Sequence, residues 1–208
     1  MKKTSAYVIS AVVAAVIVVT GCASSNVNLK QNMYAPSFNA DEFRDYRGRG
    51  VYLPPFVNKA DNTTLWFYSS VDKKRKYVMN SLEQFFWNCC QDAFLHVGIF
   101  VYESPSVSPA VNPDEKFKQG FKEFRMQLSS LTDMEYRFIV TLYDGRSIVF
   151  QRKFIIPMNP PEGEDMAALE KRAYAMVDRS FETILKDQGF RDAFLSDSAP
   201  VQDPAKGE

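Results

Sequence analysis

This sequence is poor in the residues that carry most enzyme chemistry. It holds one histidine, His96, in 208 residues. It holds three cysteines and no Cys-x-x-Cys. A Cys-Cys metal site would need further ligands, and one imidazole does not supply them. Gly-x-Ser-x-Gly, a phosphate loop and His-Glu-x-x-His are all missing. Charge of one sign is missing too: 25 basic residues balance 25 acidic ones. Such a chain has no global field to gather nucleic acid, and no nucleic-acid partner is expected. The apolar run from Tyr7 to Val19 is well short of the ~20 residues that cross a bilayer.

What that run does have is order. Met1-Lys2-Lys3 is a short basic start, Tyr7–Val19 is almost unbroken Ala, Val and Ile, and a small-residue site follows. This is the pattern of a secretory signal peptide, which is removed and is not part of the fold. Val19-Thr20-Gly21-Cys22 resembles the lipobox of bacterial lipoproteins: aliphatic, small, Gly or Ala, then Cys. The resemblance implies that Cys22 becomes an acylated N-terminus, with the lipid as membrane anchor. Ala23, rather than Asp, follows the cysteine, which by the same resemblance implies the outer membrane, periplasmic side.

Cleavage after residue 21 leaves 187 of the 208 residues, with 23 basic against 25 acidic side chains, a net charge of −2. That length suffices for one domain with a sizeable core. With 17 Phe and 10 Tyr the chain is packed, not disordered. The expected organisation is a signal peptide over 1–21, a lipidated tether over 22–46, a globular domain over 47–195 and a loose tail over 196–208.

Hydrophobic periodicity supplies the elements. Val51-Tyr52-Leu53 begins a strand that Pro54-Pro55 stops, because proline cannot donate to a ladder. Asn58–Thr64 is loop, and Leu65-Trp66-Phe67-Tyr68 is a short aromatic run. Val78, Leu82, Phe85, Phe86, Cys89, Ala93 and Val97 recur at steps of three and four and predict a helix over 78–97. Ser81 with Gln84 fits a capping box, and Gly98 fits the left-handed residue after the helix. Cys89 and Cys90 are neighbours in that helix. They cannot bridge each other without breaking it, so both are read as buried thiols.

Ile99–Tyr102 reads as a short buried strand, and 103–115, with three prolines, as a loop. Three strands follow. Phe124, Met126 and Leu128 alternate with polar residues, Met134 to Leu142 alternates most cleanly, and Ile148, Phe150, Phe154 and Ile156 form the partner face. A bulged three-residue loop, Tyr143-Asp144-Gly145 with Gly145 left-handed, would set Val140 opposite Ile148 and Phe138 opposite Phe150. A second helix over 166–188 follows, with Asp165 as N-cap and Gly189 as its terminal glycine. These elements predict a single-domain α/β (α+β) fold: a mixed, mostly antiparallel sheet of about five strands packed against two long helices.

Three features invite a functional reading. His96 sits at a helix C-terminus, where its charge suits the dipole, a structural role. Glu162, Glu164 and Asp165 abut a helix N-terminus for the same kind of reason. Lys73-Lys74-Arg75-Lys76 is different. Four cations at a helix start would be unfavourable, so they are either a solvated loop or a contact for an anionic surface, such as lipid headgroups. No catalytic residue, cofactor or metal is expected.

The order of elements also resembles two groups of bacterial lipoproteins. Leu53-Pro54-Pro55-Phe56 with Asn58 is similar to the first strand of TolB-like lipoproteins, a group that includes curli-secretion, polysaccharide-export and cell-wall-synthase-activating proteins. Phe124 to Phe154, with Tyr143-Asp144-Gly145 and Arg152-Lys153-Phe154, and the 166–188 helix resemble ABC-type transport auxiliary lipoproteins. Those serve lipid and solvent transport between the two membranes. The first resemblance implies a ring or a partner activator, and hence self-association. The second implies an auxiliary subunit with an envelope protein partner. Neither carries a functional residue beyond Cys22, and a periplasmic hydrolase is the remaining, different class.

Overall fold

The computed structural model describes residues 26–27, 33–60, 65–69, 74–78, 82–103, 121–131, 135–159 and 165–196. Strands β1 (Asn26–Val27), β4 (Leu65–Ser69) and β5 (Lys74–Val78) form a small sheet in the order β1-β5-β4. The main sheet runs β6-β2-β7-β8-β9, with β2 Gly50–Leu53, β6 Phe100–Glu103, β7 Lys122–Leu131, β8 Glu135–Asp144 and β9 Ser147–Pro157. A sixth strand, β3 (Val57–Asn58), pairs with β7. The helices are α1 Leu82–His96, α2 Met166–Lys186 and α3 Gln188–Leu195, with a 3-10 segment at Ala40–Tyr46. The α+β architecture expected from the sequence is present. Its sheet has six strands, and the three-stranded sheet is additional.

Pro54-Pro55 does what two missing donors dictate. β2 pairs with β7 at Val51 and Tyr52, the ladder lapses at the prolines, and β3 resumes it at Gln127 and Leu128. The Leu53 carbonyl, left at the break, accepts from the Trp87 indole at 3.2 Å.

Helix α1 buries the stripe its periodicity announced: Leu82, Phe85, Phe86, Cys89 and Ala93, with Cys90 and Phe94 added. It begins at Leu82 rather than 78, because Val78 is spent as the last residue of β5. Ser81 lies outside the described residues. Gly98, at φ 82°, follows the helix, and its N–H returns to the Leu95 carbonyl at 3.0 Å. Phe94 meets Phe124 of β7 and Phe181 of α2 edge-on at 5.2 and 4.9 Å, so one ring ties two helices to the sheet. Burial of such a side chain contributes roughly 1.5–3 kcal/mol. Met134 lies outside the described residues; Tyr136, Phe138, Val140 and Leu142 of β8 are buried.

Four expectations are corrected. Residues 34–46 are not a free tether. Tyr34, Phe38, Phe43 and Tyr46 are buried in the core, and Asn39 caps the 3-10 segment by accepting from Asp41 N–H. Their polar neighbours face solvent, which is why the composition suggested a spacer. The β8–β9 hairpin turns one residue later than expected, at Gly145-Arg146. Asp144 pairs with Ser147, and a bulge after Tyr143↔Ile148 sets Leu142 opposite Phe150 and Phe138 opposite Phe154. Gly145 is left-handed, at φ 60°, as expected. The bulge shifts the alternation, so Ile148 is exposed rather than inward. In β6, Phe100 and Tyr102 are exposed, not buried. Finally, α2 starts on its expected cap, Asp165, which accepts from Ala168 N–H at 2.8 Å. It ends at Lys186 instead of 188, because Asp187 caps a further helix. Gly189 therefore lies inside α3.

Candidate interaction surface

Two buried charged groups are matched to structural partners. Asp178 on α2 is buried, and it accepts from Tyr34 Oη at 2.7 Å and Ser37 Oγ at 2.5 Å. Lys122 on β7 is buried at the C-terminal end of α3, where its Nζ donates to the carbonyls of Phe194 and Ser196 and to Ser196 Oγ. Those carbonyls lack helical partners, so the lysine does the work of a cap. His96 places Nε2 at 2.9 Å from the Phe38 carbonyl, with its ring edge-on to Phe38 at 5.1 Å. The sequence placed it at a helix end; its contact is with the segment mistaken for a tether.

Cys89 and Cys90 are buried and unbridged. Burial pushes both thiols well above their ordinary value; for Cys89 the carboxylates of Asp92 and Asp178 add to it. A thiol that resists ionisation is a poor nucleophile and a poor ligand. Among the described residues, no cluster of three His, Cys, Asp or Glu side chains could hold a metal ion. A cavity of about 140 Å³ is lined by Glu42, Asp45, Tyr46, Lys186 and Arg191 among others. Its charges are paired, Lys186 with Glu42 at 3.0 Å and Arg191 with Asp45.

The surface is more distinctive. One end of the main sheet carries an aromatic group outside the core. Tyr102 stacks on Phe121 at 4.6 Å and meets Tyr52, its neighbour on β2, at 5.9 Å. Phe121 lies across Gly50, where any Cβ would fall 2.2 Å from its ring. Glycine here is what admits the aromatic cover. Phe100 is 57% and Tyr102 41% exposed on β6, the edge strand of that sheet. Beside them Glu123 pairs with Arg125, whose guanidinium sits 4.6 Å over the Tyr143 ring. Large exposed aromatics at a sheet edge suit a protein partner better than a small substrate.

The basic cluster is strand, not loop, over the part that is described. Lys74, Arg75 and Lys76 belong to β5 and stand opposite Ser69, Tyr68 and Phe67 of β4. Lys73 and Cys22 lie outside the described residues. β1 joins the other edge of β5 in parallel, Asn26 beside Tyr77 and Val27 beside Val78. Sequence reading found the cations but not this pairing, which links positions about fifty apart.

No protein-family model matches the sequence, and no curated protein matches it. Among solved structures, the chain is similar to a Xanthomonas campestris protein of family DUF330, with a TM-score of 0.47 and 7% identity, over 77% of this chain and 91% of that one. It is also similar to a Helicobacter pylori protein described as a homolog of a neuraminyllactose-binding hemagglutinin, with a TM-score of 0.40 and 10% identity, over 72% and 91%. No helix among the described residues is long and apolar enough to cross a membrane.

Proposed function

We propose that this chain is a non-enzymatic lipoprotein, anchored through Cys22 on the periplasmic side of the outer membrane, that serves an envelope transport complex as an auxiliary subunit. One observation carries the reading. The lipobox-like Val19-Thr20-Gly21-Cys22 stands only four positions before β1, where the chain is already paired into a sheet. Four residues reach at most about 14 Å when extended. An acylated Cys22 would hold the folded domain against the membrane, not swing it on a long leash. The exposed aromatics of β6 then offer a surface to a membrane-associated protein partner. The buried charges of Asp178 and Lys122 are engaged in holding the fold, which supports a role without chemistry.

Four experiments test this. Cys22→Ser removes the thiol that accepts the lipid, so the protein should leave the membrane fraction or remain as precursor. Processed, membrane-bound Cys22→Ser protein would sink the anchor. Wild-type membranes separated by density should place the protein with the outer membrane. A photo-crosslinker at Phe100 should then give one adduct with an envelope transport protein. Adducts between copies of this chain alone would favour the ring-forming alternative, and hydrolysis of lipid or glycan by the purified protein would overturn the non-enzymatic reading.

A further inference from the structure

We propose that the β4–β5 hairpin is a membrane-docking finger, which seats on an anionic phospholipid surface beside the acylated Cys22. The inference rests on the lipid-anchor reading above and adds a second contact to it.

Direction is the first argument. β1 and β5 are parallel, with Asn26 beside Tyr77 and Val27 beside Val78. The chain therefore enters β1 from the Lys74 end of β5. That end is the tip of the hairpin, since Ser69 and Lys74 are the last described pair before the connection. Cys22 is four positions upstream of Asn26 in the sequence, a reach of at most about 14 Å even when extended. Whatever surface takes the acyl chains is within reach of the tip.

Composition is the second argument. β4 carries Trp66-Phe67-Tyr68, and β5 carries Lys74-Arg75-Lys76, with Phe67 paired to Lys76 and Tyr68 to Arg75. Aromatic rings concentrate at the headgroup level of bilayers, and cations next to an anionic leaflet are attracted to it. Each cation at the surface shifts the docked population by about fivefold, so three shift it by roughly a hundredfold. The charge is local: the chain without residues 1–21 is at −2, so the attraction belongs to this hairpin and not to the protein as a whole.

Trp66 makes the test direct, because the chain has only two tryptophans and the other, Trp87, is half-buried in α1. Lipidated protein is reconstituted into phosphatidylcholine vesicles, with or without phosphatidylglycerol, that carry brominated acyl chains. The readout is flotation together with quenching of tryptophan emission. Docking predicts several-fold stronger quenching with phosphatidylglycerol. That gain should vanish in a K74Q/R75Q/K76Q variant, and at about 0.5 M salt, where the Debye length falls to roughly 4 Å. Thermal melting of the variant, expected to match wild type, guards against misfolding. Protein that floats with both vesicles but is quenched equally in them overturns the docking finger and leaves the anchor standing. Protein that floats with neither overturns the anchor, and the finger with it.

Discussion

The hydroxyl of Tyr34 donates to Asp178 Oδ1 at 2.7 Å, joining positions 144 residues apart. Ser37 donates to the same carboxylate through its hydroxyl, at 2.5 Å. Three residues of the N-terminal segment and of α2 thus form one clasp, buried at Tyr34 and Asp178. Tyr34→Phe should cost about 1–3 kcal/mol, since it removes a hydrogen bond to a charged acceptor and leaves the ring in place. Chemical denaturation measures it. An unchanged midpoint would mean that residues 34–46 are not part of the cooperative unit.

Alkaline pH should unfold the protein early. Burial holds the thiols of Cys89 and Cys90 above their ordinary value of 9.0. Burial, then the Asp178 carboxylate, raises Tyr34 above its ordinary 10.0, and burial does the same for Tyr136. The folded chain keeps these protons while the unfolded chain releases them. Stability is therefore fully present below about pH 9 and falls as pH rises past it, by about 1.4 kcal/mol per pH unit for each group released. Denaturation midpoints between pH 8 and 11 test the sign. Alkylation is a second check: both thiols should react slowly in native protein and quickly once unfolded. Fast labelling of native protein contradicts the burial.

What the sequence made legible follows from periodicity. β8 alternates because one of its faces is buried along Tyr136, Phe138, Val140 and Leu142, and a strand buried on one side writes its period directly. α1 and α2 were equally plain. The aromatics at 34, 38, 43 and 46 were not, because a 3-10 segment has no long repeat and its charged neighbours dominate the composition. Their spacing of three to five was the signal available. The hairpin register failed for a local reason. Ile148 is apolar but exposed, so matching apolar faces chose the wrong partner for Val140, which stands opposite Arg152. Of the candidate site, the cations were visible as charge. Their place beside β1 was not, because parallel pairing across fifty residues leaves no local mark.

Gly145 separates backbone strain from packing. Its φ is 60°, and a Cβ there would meet nothing within 4 Å. Gly145→Val should still cost about 1–2 kcal/mol, because a β-branched residue resists the left-handed region. Gly145→Asn should cost less, since asparagine tolerates that conformation. Equal melting temperatures for the two variants would contradict the assignment of the turn to Gly145-Arg146.

Asp187 serves two helices and one strand. Its N–H bonds to the Ile184 carbonyl at 3.1 Å as α2 ends. One carboxylate oxygen accepts from Phe190 N–H at 2.9 Å as α3 begins, and the other pairs with Arg152 of β9. The cap and the ion pair can be told apart. Asp187→Asn keeps an oxygen for Phe190 N–H and removes the charge. Arg152 is half exposed, so losing the pair should cost at most about 1 kcal/mol. Asp187→Ala removes both and should cost about 1–2 kcal/mol more, mostly from the lost cap. Added salt should narrow the gap between wild type and Asp187→Asn, because it screens the pair, and should leave the gap between Asn and Ala unchanged, because the cap with asparagine is uncharged. If Asn and Ala are equally destabilised, α3 does not depend on this cap, and the break between α2 and α3 must be held by the burial of Phe190 and Phe194 alone.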